Sequence, residues 1–164
     1  GEVLGLSSHY GEAFYKAEGG VSSKLPLEGT VLISVNRKDK EEVVDVAGSF
    51  VNDGFKVLAT GGTYDLIAEA GLPVTKIKKL YEGRPNILDA ITNGEIDLII
   101  NSPFGKESVH DDSYLRKAAI KARIPYMTTM AAAKATAEGI AYVKKNGSSE
   151  VRSLQELHSL ITDK

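Results

Sequence analysis

"TVLISVNRKDKEEVVDVAGSFVNDGFKVLATGGTYDLIAEAG", residues 30–71, alternates between two periods. Residues 30–35 are a β-branched, mostly apolar run of strand length. Past the charged "NRKDK", Val43, Val46, Ala47, Phe50 and Val51 fall at i, i+3, i+4, i+7 and i+8, which is one face of a helix that Gly54 can terminate. "FKVLA", residues 55–59, is a second strand, and the helix after it, near 63–70, is stopped by Gly71 with Pro73 just beyond. Strand, helix, strand, helix is the unit of a parallel sheet, because parallel neighbours can be joined only by a crossover.

Working outward, the alternation holds. Residues 74–77 are a third strand, 86–94 a short helix and 97–101 a fourth strand. A turn-rich loop leads to a helix near 113–123, a fifth strand at 126–129 after Pro125, and an alanine-rich helix at 131–145. Leu154, Leu157, Leu160 and Ile161 space residues 153–161 as a final helix. The fold class is α/β: a three-layer, mostly parallel five-stranded sheet with helices on both faces, reached by right-handed crossovers. Residues 1–29 read otherwise. A short helical pattern (Ala13, Phe14, Ala17) sits between glycine and serine clusters and ends at Leu25-Pro26, which marks a connector before a domain over 30–164. A start at Gly1 rather than methionine fits a processed chain or a piece of a longer one.

With 164 residues and 42% hydrophobic content, the chain can fill one ordinary core. Its 20 basic and 22 acidic side chains leave a formal charge of −2, so no global field marks a nucleic-acid or membrane partner, and any anion site is local. The absence of cysteine excludes disulfides, thiolate metal sites and a cysteine nucleophile, and fits a cytoplasmic protein. No apolar run has the roughly 20 residues of a membrane span.

Ligands of an open parallel sheet bind beyond the carboxyl ends of its strands. Here those ends deliver Asn36, Arg37, Lys38 and Lys40; then Thr60-Gly61-Gly62-Thr63; then Lys78, Lys79 and "YEGRP"; then Asn101 and Ser102; then Thr128 and Thr129. Two glycines let a backbone approach a ligand, two threonines add hydroxyls, and the next helix adds the positive end of its dipole. Such a turn suits a phosphate, with Lys40 and Lys79 as countercharge and the planar fork of Arg84 able to grip an anion twice. Taken alone, the turn reads as a plain turn with a helix cap ahead of a phosphate cradle, and the lysines as solvated surface residues; their arrival at one rim is what moves the balance toward a site. Neither G-x-G-x-x-G nor the P-loop pattern is present, so a dinucleotide or a magnesium triphosphate is not indicated. His9, His110 and His158 lack ligand spacing, Asp111-Asp112 read as helix-start charges, and Ser102 and Ser113 have no evident base, so no metal site and no catalytic residue is assigned.

With these residues laid out, "TVLISVNRKDKEEVVDVAGSFVNDGFKVLATGGT", "KKLYEGRPNILDAITNGEIDLIINSPFGK", "RKAAIKARIPYMTT" and "EVRSLQELHSLI" resemble the C-terminal allosteric domain of the carbamoyl-phosphate synthetase large subunit, a domain of methylglyoxal synthase-like fold. The opening "GEVLG…EAFYKA" resembles the tail of the preceding ATP-grasp synthetase domain. The resemblance implies a non-catalytic regulatory domain that binds UMP as inhibitor and IMP as activator, with ornithine activating near the domain boundary. It implies a parent ligase that makes carbamoyl phosphate for arginine and pyrimidine synthesis, using ATP with Mg or Mn, a glutaminase small subunit and an oligomeric assembly. The family's effector-phosphate residues fall on Lys40, Thr60, Gly61, Gly62, Thr63 and Lys79, and its asparagine after the fourth strand on Asn101, with Ser102 and Arg84 as secondary positions. The turn departs from the Thr-His-Gly-Thr of some relatives, and Pro103 stands where a hydroxyl residue can contact the nucleotide. Two further readings stay open: a methylglyoxal synthase-type phosphate lyase, whose expected aspartates are replaced here by Gly83 or Arg84 and by Ser102, and a scaffold domain that has lost its ligand.

Overall fold

The structure, a computed structural model, describes residues 2–21, 24–102, 109–147, 152–159 and 161, with the side chains of 109–112 not among them. Pro103, Leu160 and the side chains of His110, Asp111 and Asp112 therefore lie outside the described residues.

Strands β1 (Thr30–Ser34), β2 (Lys56–Thr60), β3 (Thr75–Ile77), β4 (Leu98–Asn101) and β5 (Tyr126–Met127) form one sheet of order β3-β2-β1-β4-β5. Every neighbouring pair is parallel, with Val31 between Val57 and Leu98, and Ile33 between Ala59 and Ile100. Alternation along the strands divides the core in two. Val31, Ile33, Val57, Ala59, Leu98 and Ile100 face helices α2 (Lys40–Asn52), α3 (Gly61–Glu69) and α6 (Met130–Asn146). Leu32 and Ile99 face α4 (Ile87–Thr92) and α5 (Val109–Ala122). A crossover of constant hand must change faces when its direction along the sheet reverses, and the reversal comes between β3 and β4. The apolar stripe read from residues 43–50 is the buried one: Val43, Val46, Ala47 and Phe50 are at most 2% exposed. Val43, Val46 and Phe50 each contribute about 1.5–3 kcal/mol by leaving water, and the methyl of Ala47 less. Gly54 and Gly71 end α2 and α3 with φ of +83° and +78°, a conformation that penalises side chains with a Cβ.

The boundaries differ where side chains intervene. The fifth strand stops at Met127, because Thr129 turns out to cap α6, its Oγ1 accepting the Ala132 N–H at 3.1 Å. The helix after the glycine turn begins two residues early, at Gly61, and 3-10 turns at Arg37–Asp39 and Leu80–Glu82 fill what read as loop. The last helix, α7 (Leu154–Ser159), is shorter than the expected 153–161. Among the described residues, no helix is long and apolar enough to cross a membrane, and no group of three or more potential metal ligands occurs.

Within residues 1–29 the short helical pattern at Ala13, Phe14 and Ala17 is a helix. Tyr10–Gly19 form a ten-residue helix, α1, docked on α6. A Cβ on Gly139 would lie 2.5 Å from the Gly11 carbonyl oxygen, so the two backbones touch. Beside this crossing Glu12 is 6% exposed, paired with Lys16 at 3.1 Å and accepting from the Ser7 hydroxyl, while the His9 and Tyr142 rings meet at 4.9 Å. Burial, and the Glu12 carboxylate next to it, push the Tyr142 phenol up from its ordinary range. Gly11, one of the glycines that read as linker punctuation, is here a point of close helix packing.

Candidate functional site

The three strands β1, β2 and β3 are consecutive in the sheet, so the segments that leave their carboxyl ends lie side by side on one rim. β1 ends and the chain turns through Arg37–Asp39 directly into α2, whose first residue is Lys40. β2 ends at Thr60 and α3 starts at the next residue. These two helix starts meet: the Lys40 ammonium lies 2.8 Å from the point where a Cβ on Gly62 would stand. Only a residue without a side chain leaves that space to the lysine. Gly61 differs, since its φ of +41° is a backbone requirement and nothing crowds it.

Electrostatically this contact is unbalanced. The first turn of α2 carries Glu41 and Glu42, but the first turn of α3 carries no acidic residue, and its positive dipole end faces a lysine. Among the described residues no ion pair of Lys40 occurs. A half-buried cation held against the positive end of a helix is an arrangement that an anion between them would relieve.

The two threonines on either side of the glycine pair in the chain are 2% and 3% exposed. The sequence cast them as ligand donors; the structure also gives them framework roles. Thr60 Oγ1 is 2.8 Å from Ser34 Oγ, a contact that uses one hydroxyl proton and leaves the pair another. Thr63 Oγ1 accepts the Val35 N–H at 3.2 Å, and its own proton can still be donated. On the other side of β1, Ser102 Oγ accepts from the Asn36 N–H at 3.0 Å and from Asn36 Nδ2 at 3.2 Å. Three successive residues, Ser34, Val35 and Asn36, are thus tied to hydroxyls from the neighbouring strand ends and the first turn of α3. Asn101, 4% exposed, donates through Nδ2 to the Tyr126 hydroxyl at 2.7 Å.

The remaining two candidates lie after β3. Lys79 is half-buried at the start of the second 3-10 turn, where its N–H donates to Glu82 Oε2 at 2.7 Å. Arg84 is turned to another use: its side chain is 81% exposed and Nη2 lies 2.6 Å from Asp89 Oδ1. The Asn86 N–H, and then the Arg84 guanidinium, hold the Asp89 carboxyl below the usual carboxylate range, so this loop carries a capping carboxylate at the start of α4. Ser34 and Tyr126 take part in the rim and, lying within strands, gave no signal in the sequence. Asn36 was read as a strand-end residue without a role of its own, although an asparagine three residues before Asp39 at a turn start is the signal of a cap.

Gly62→Ala is the local test of the Lys40 contact. The added methyl meets the end of a flexible side chain, so the chain should melt at or slightly above the wild-type temperature, because alanine is the better helix former. Displacement of the ammonium should nonetheless weaken inorganic phosphate binding about tenfold, the scale of one charge-assisted hydrogen bond. Melting curves and phosphate titrations of the two proteins measure both halves.

The architecture is that of a three-layer α/β domain with the buried polar residues Thr60, Thr63, Asn101 and Ser102 gathered at or just past the strand carboxyl ends. The chain belongs to the MGS-like domain family, whose family model matches residues 42–128. It is 44% identical over 158 residues to the carbamoyl phosphate synthase large chain of Methanothrix thermoacetophila, covering 96% of this chain and 15% of that one. It is 45% identical over 159 residues to the carbamoyl phosphate synthase large chain, C-terminal section, of Methanopyrus kandleri, covering 96% and 29%. Against the corresponding C-terminal section from Aquifex aeolicus the identity is 40% over 164 residues, covering 98% and 30%. The chain therefore spans less than a third of the length of these relatives. Among solved structures, methylglyoxal synthase from Elizabethkingia anophelis NUHP1 superposes with a TM-score of 0.57 at 16% identity, covering 85% of this chain and 95% of that one, a likeness of fold.

Proposed function

We propose that this chain is the regulatory C-terminal part of a carbamoyl phosphate synthase large chain, and that Lys40, Thr60, Gly61, Gly62, Thr63 and Lys79 hold the phosphate of a nucleoside monophosphate. The observation that carries the reading is the Lys40 ammonium against Gly62, at a helix start with no acid of its own. Alignment over nearly the whole chain with large-chain relatives supports the parentage. In this reading UMP inhibits and IMP activates through the same cup, Asn101 and Ser102 serve the base or ribose, and Arg84 is secondary. Ornithine activates near the boundary with the preceding domain. The carbamoyl phosphate chemistry, its ATP and its Mg or Mn belong to the rest of the large subunit, which works with a glutaminase small subunit in the cytoplasm.

Regulation then follows from linkage. A nucleotide alters catalysis elsewhere only by binding one conformation of the enzyme better than another, with a coupling of about 1–3 kcal/mol. The site needs to hold an anion without transforming it, and two carboxylates on this rim are already engaged: Asp39 Oδ2 accepts from Asn36 Nδ2 at 2.8 Å, and Glu82 from the Lys79 N–H.

Calorimetric titration of the chain with UMP and with IMP tests the proposal. Saturable one-to-one binding of either, competed by inorganic phosphate, is the expected result; no heat from both ligands would remove it. Incubation with dihydroxyacetone phosphate is the companion measurement, and sustained release of methylglyoxal and phosphate would replace regulation with lyase chemistry.

A further inference from the structure

On the rim, Asn36 holds neighbouring residues in place through both its backbone and its side chain. Asn36 stands two positions beyond β1, and Ser102 one beyond β4. Here the sheet's connections diverge, the chain after β1 running to β2 and the chain after β4 to β5. Strand ends at such a switch point tend to leave a crevice. Asn36 spans it, with its backbone N–H and its Nδ2 both donating to Ser102 Oγ. The other end of the same amide works forward along the chain: Oδ1 accepts the Lys38 N–H at 2.7 Å and the Asp39 N–H at 3.3 Å, and Nδ2 donates to Asp39 Oδ2. That cap starts the 3-10 turn, which continues without a break into α2 at Lys40, φ −66° and ψ −29°.

We infer that Asn36 is a positioning residue, bridging the ends of β1 and β4 so that the turn it caps delivers the Lys40 ammonium to Gly62. The chemistry requires an amide. The carbonyl oxygen caps the turn while the NH2 group bridges to Ser102 and holds Asp39, so neither alanine nor a purely accepting side chain does both. A lysine stem is long and flexible, and where its ammonium rests depends on where its backbone begins and how that backbone is braced. The inference takes its functional meaning from the anion-site reading, but the placement of Lys40 is measurable without any ligand.

The amide resonance of Gly62 is the reporter, because the ammonium beside it contributes to its chemical shift. In the ligand-free chain, Lys40→Ala should move that resonance, and Asn36→Ala should move it part of the way in the same direction. In the Lys40→Ala background, Asn36→Ala should move it little further. Ser102→Ala, which keeps the cap and loses the bridge, should show a smaller version of the Asn36→Ala effect. Inorganic phosphate should bind Asn36→Ala about tenfold more weakly than wild type, in line with one misplaced charge-assisted contact. A Gly62 resonance unmoved by Asn36→Ala in a folded chain would overturn the inference, as would an equal displacement with and without Lys40. A wild-type chain that takes up neither UMP nor phosphate would instead remove the anion site, while the resonance measurements still decide what Asn36 does.

Discussion

Lys40→Ala is expected to lower the affinity for UMP and for inorganic phosphate by about thirtyfold to 150-fold, the loss of about 2–3 kcal/mol for a charge-assisted contact in a partly shielded site. The same substitution is expected to leave the ligand-free chain as stable as before, or more stable by about 0.3–1 kcal/mol, because it takes a cation away from the positive end of α3. No ion pair among the described residues is lost with it. Opposite signs for affinity and stability are what separates a ligand-binding lysine from a structural one. Calorimetry gives the first quantity and thermal unfolding the second. Raising the ionic strength should shrink the wild-type advantage, since part of it is Coulombic. If Lys40→Ala bound UMP as tightly as wild type, the phosphate would have to sit elsewhere on the rim.

Gly139→Ala is expected to destabilise the chain by about 1–3 kcal/mol, the cost of forcing a methyl into a filled contact. Helix propensity alone gives the opposite sign, since Gly139 lies inside the seventeen-residue helix α6 and alanine is favoured there by about 1 kcal/mol. Contact decides the sign, because the new methyl would meet the Gly11 carbonyl at 2.5 Å and Tyr15 Cβ at 3.1 Å, and a backbone oxygen cannot swing aside. Gly48→Ala is the matched control. It also lies within a helix, α2, but a Cβ there meets only Leu72 Cδ1 at an ordinary 3.7 Å, so that variant should melt higher than wild type. Tryptic cleavage after Lys16, half-buried in α1, should accelerate in Gly139→Ala and stay unchanged in Gly48→Ala. A higher melting temperature for Gly139→Ala would mean that α1 is a loose connector after all, and that the seam with α6 contributes nothing.

Fold and rim were legible for the same reason. A strand buried on both faces must be apolar throughout, and a helix packed on one side must repeat near every third or fourth residue, so residues 30–71 announce a parallel α/β unit before any contact is known. Parallel strands then put all their carboxyl ends on one side, which is why Lys40, Thr60, Thr63, Lys79, Asn101 and Ser102 could be grouped from sequence position alone. Periodicity does not carry partner identity. That Thr60 is bonded to Ser34, Thr63 to Val35 and Ser102 to Asn36 depends on strand order, and β4 beside β1 is a choice that local sequence does not encode. Arg84 shows the limit on the other side: an exposed guanidinium near an anion rim looks available until the fold supplies Asp89.

What the amino-acid order determined by itself was the class of element at each position and the side of the sheet on which polar residues collect, because both follow from local stereochemistry and solvent exclusion. What only the tertiary structure decided was which glycines are punctuation and which are contacts. Gly54 and Gly71 end helices by their own backbone freedom, whereas Gly62 and Gly139 are required by something distant in the chain, an ammonium in one case and a second helix in the other. A missing side chain records no partner in the sequence; its meaning lies in the atoms that come to fill the space.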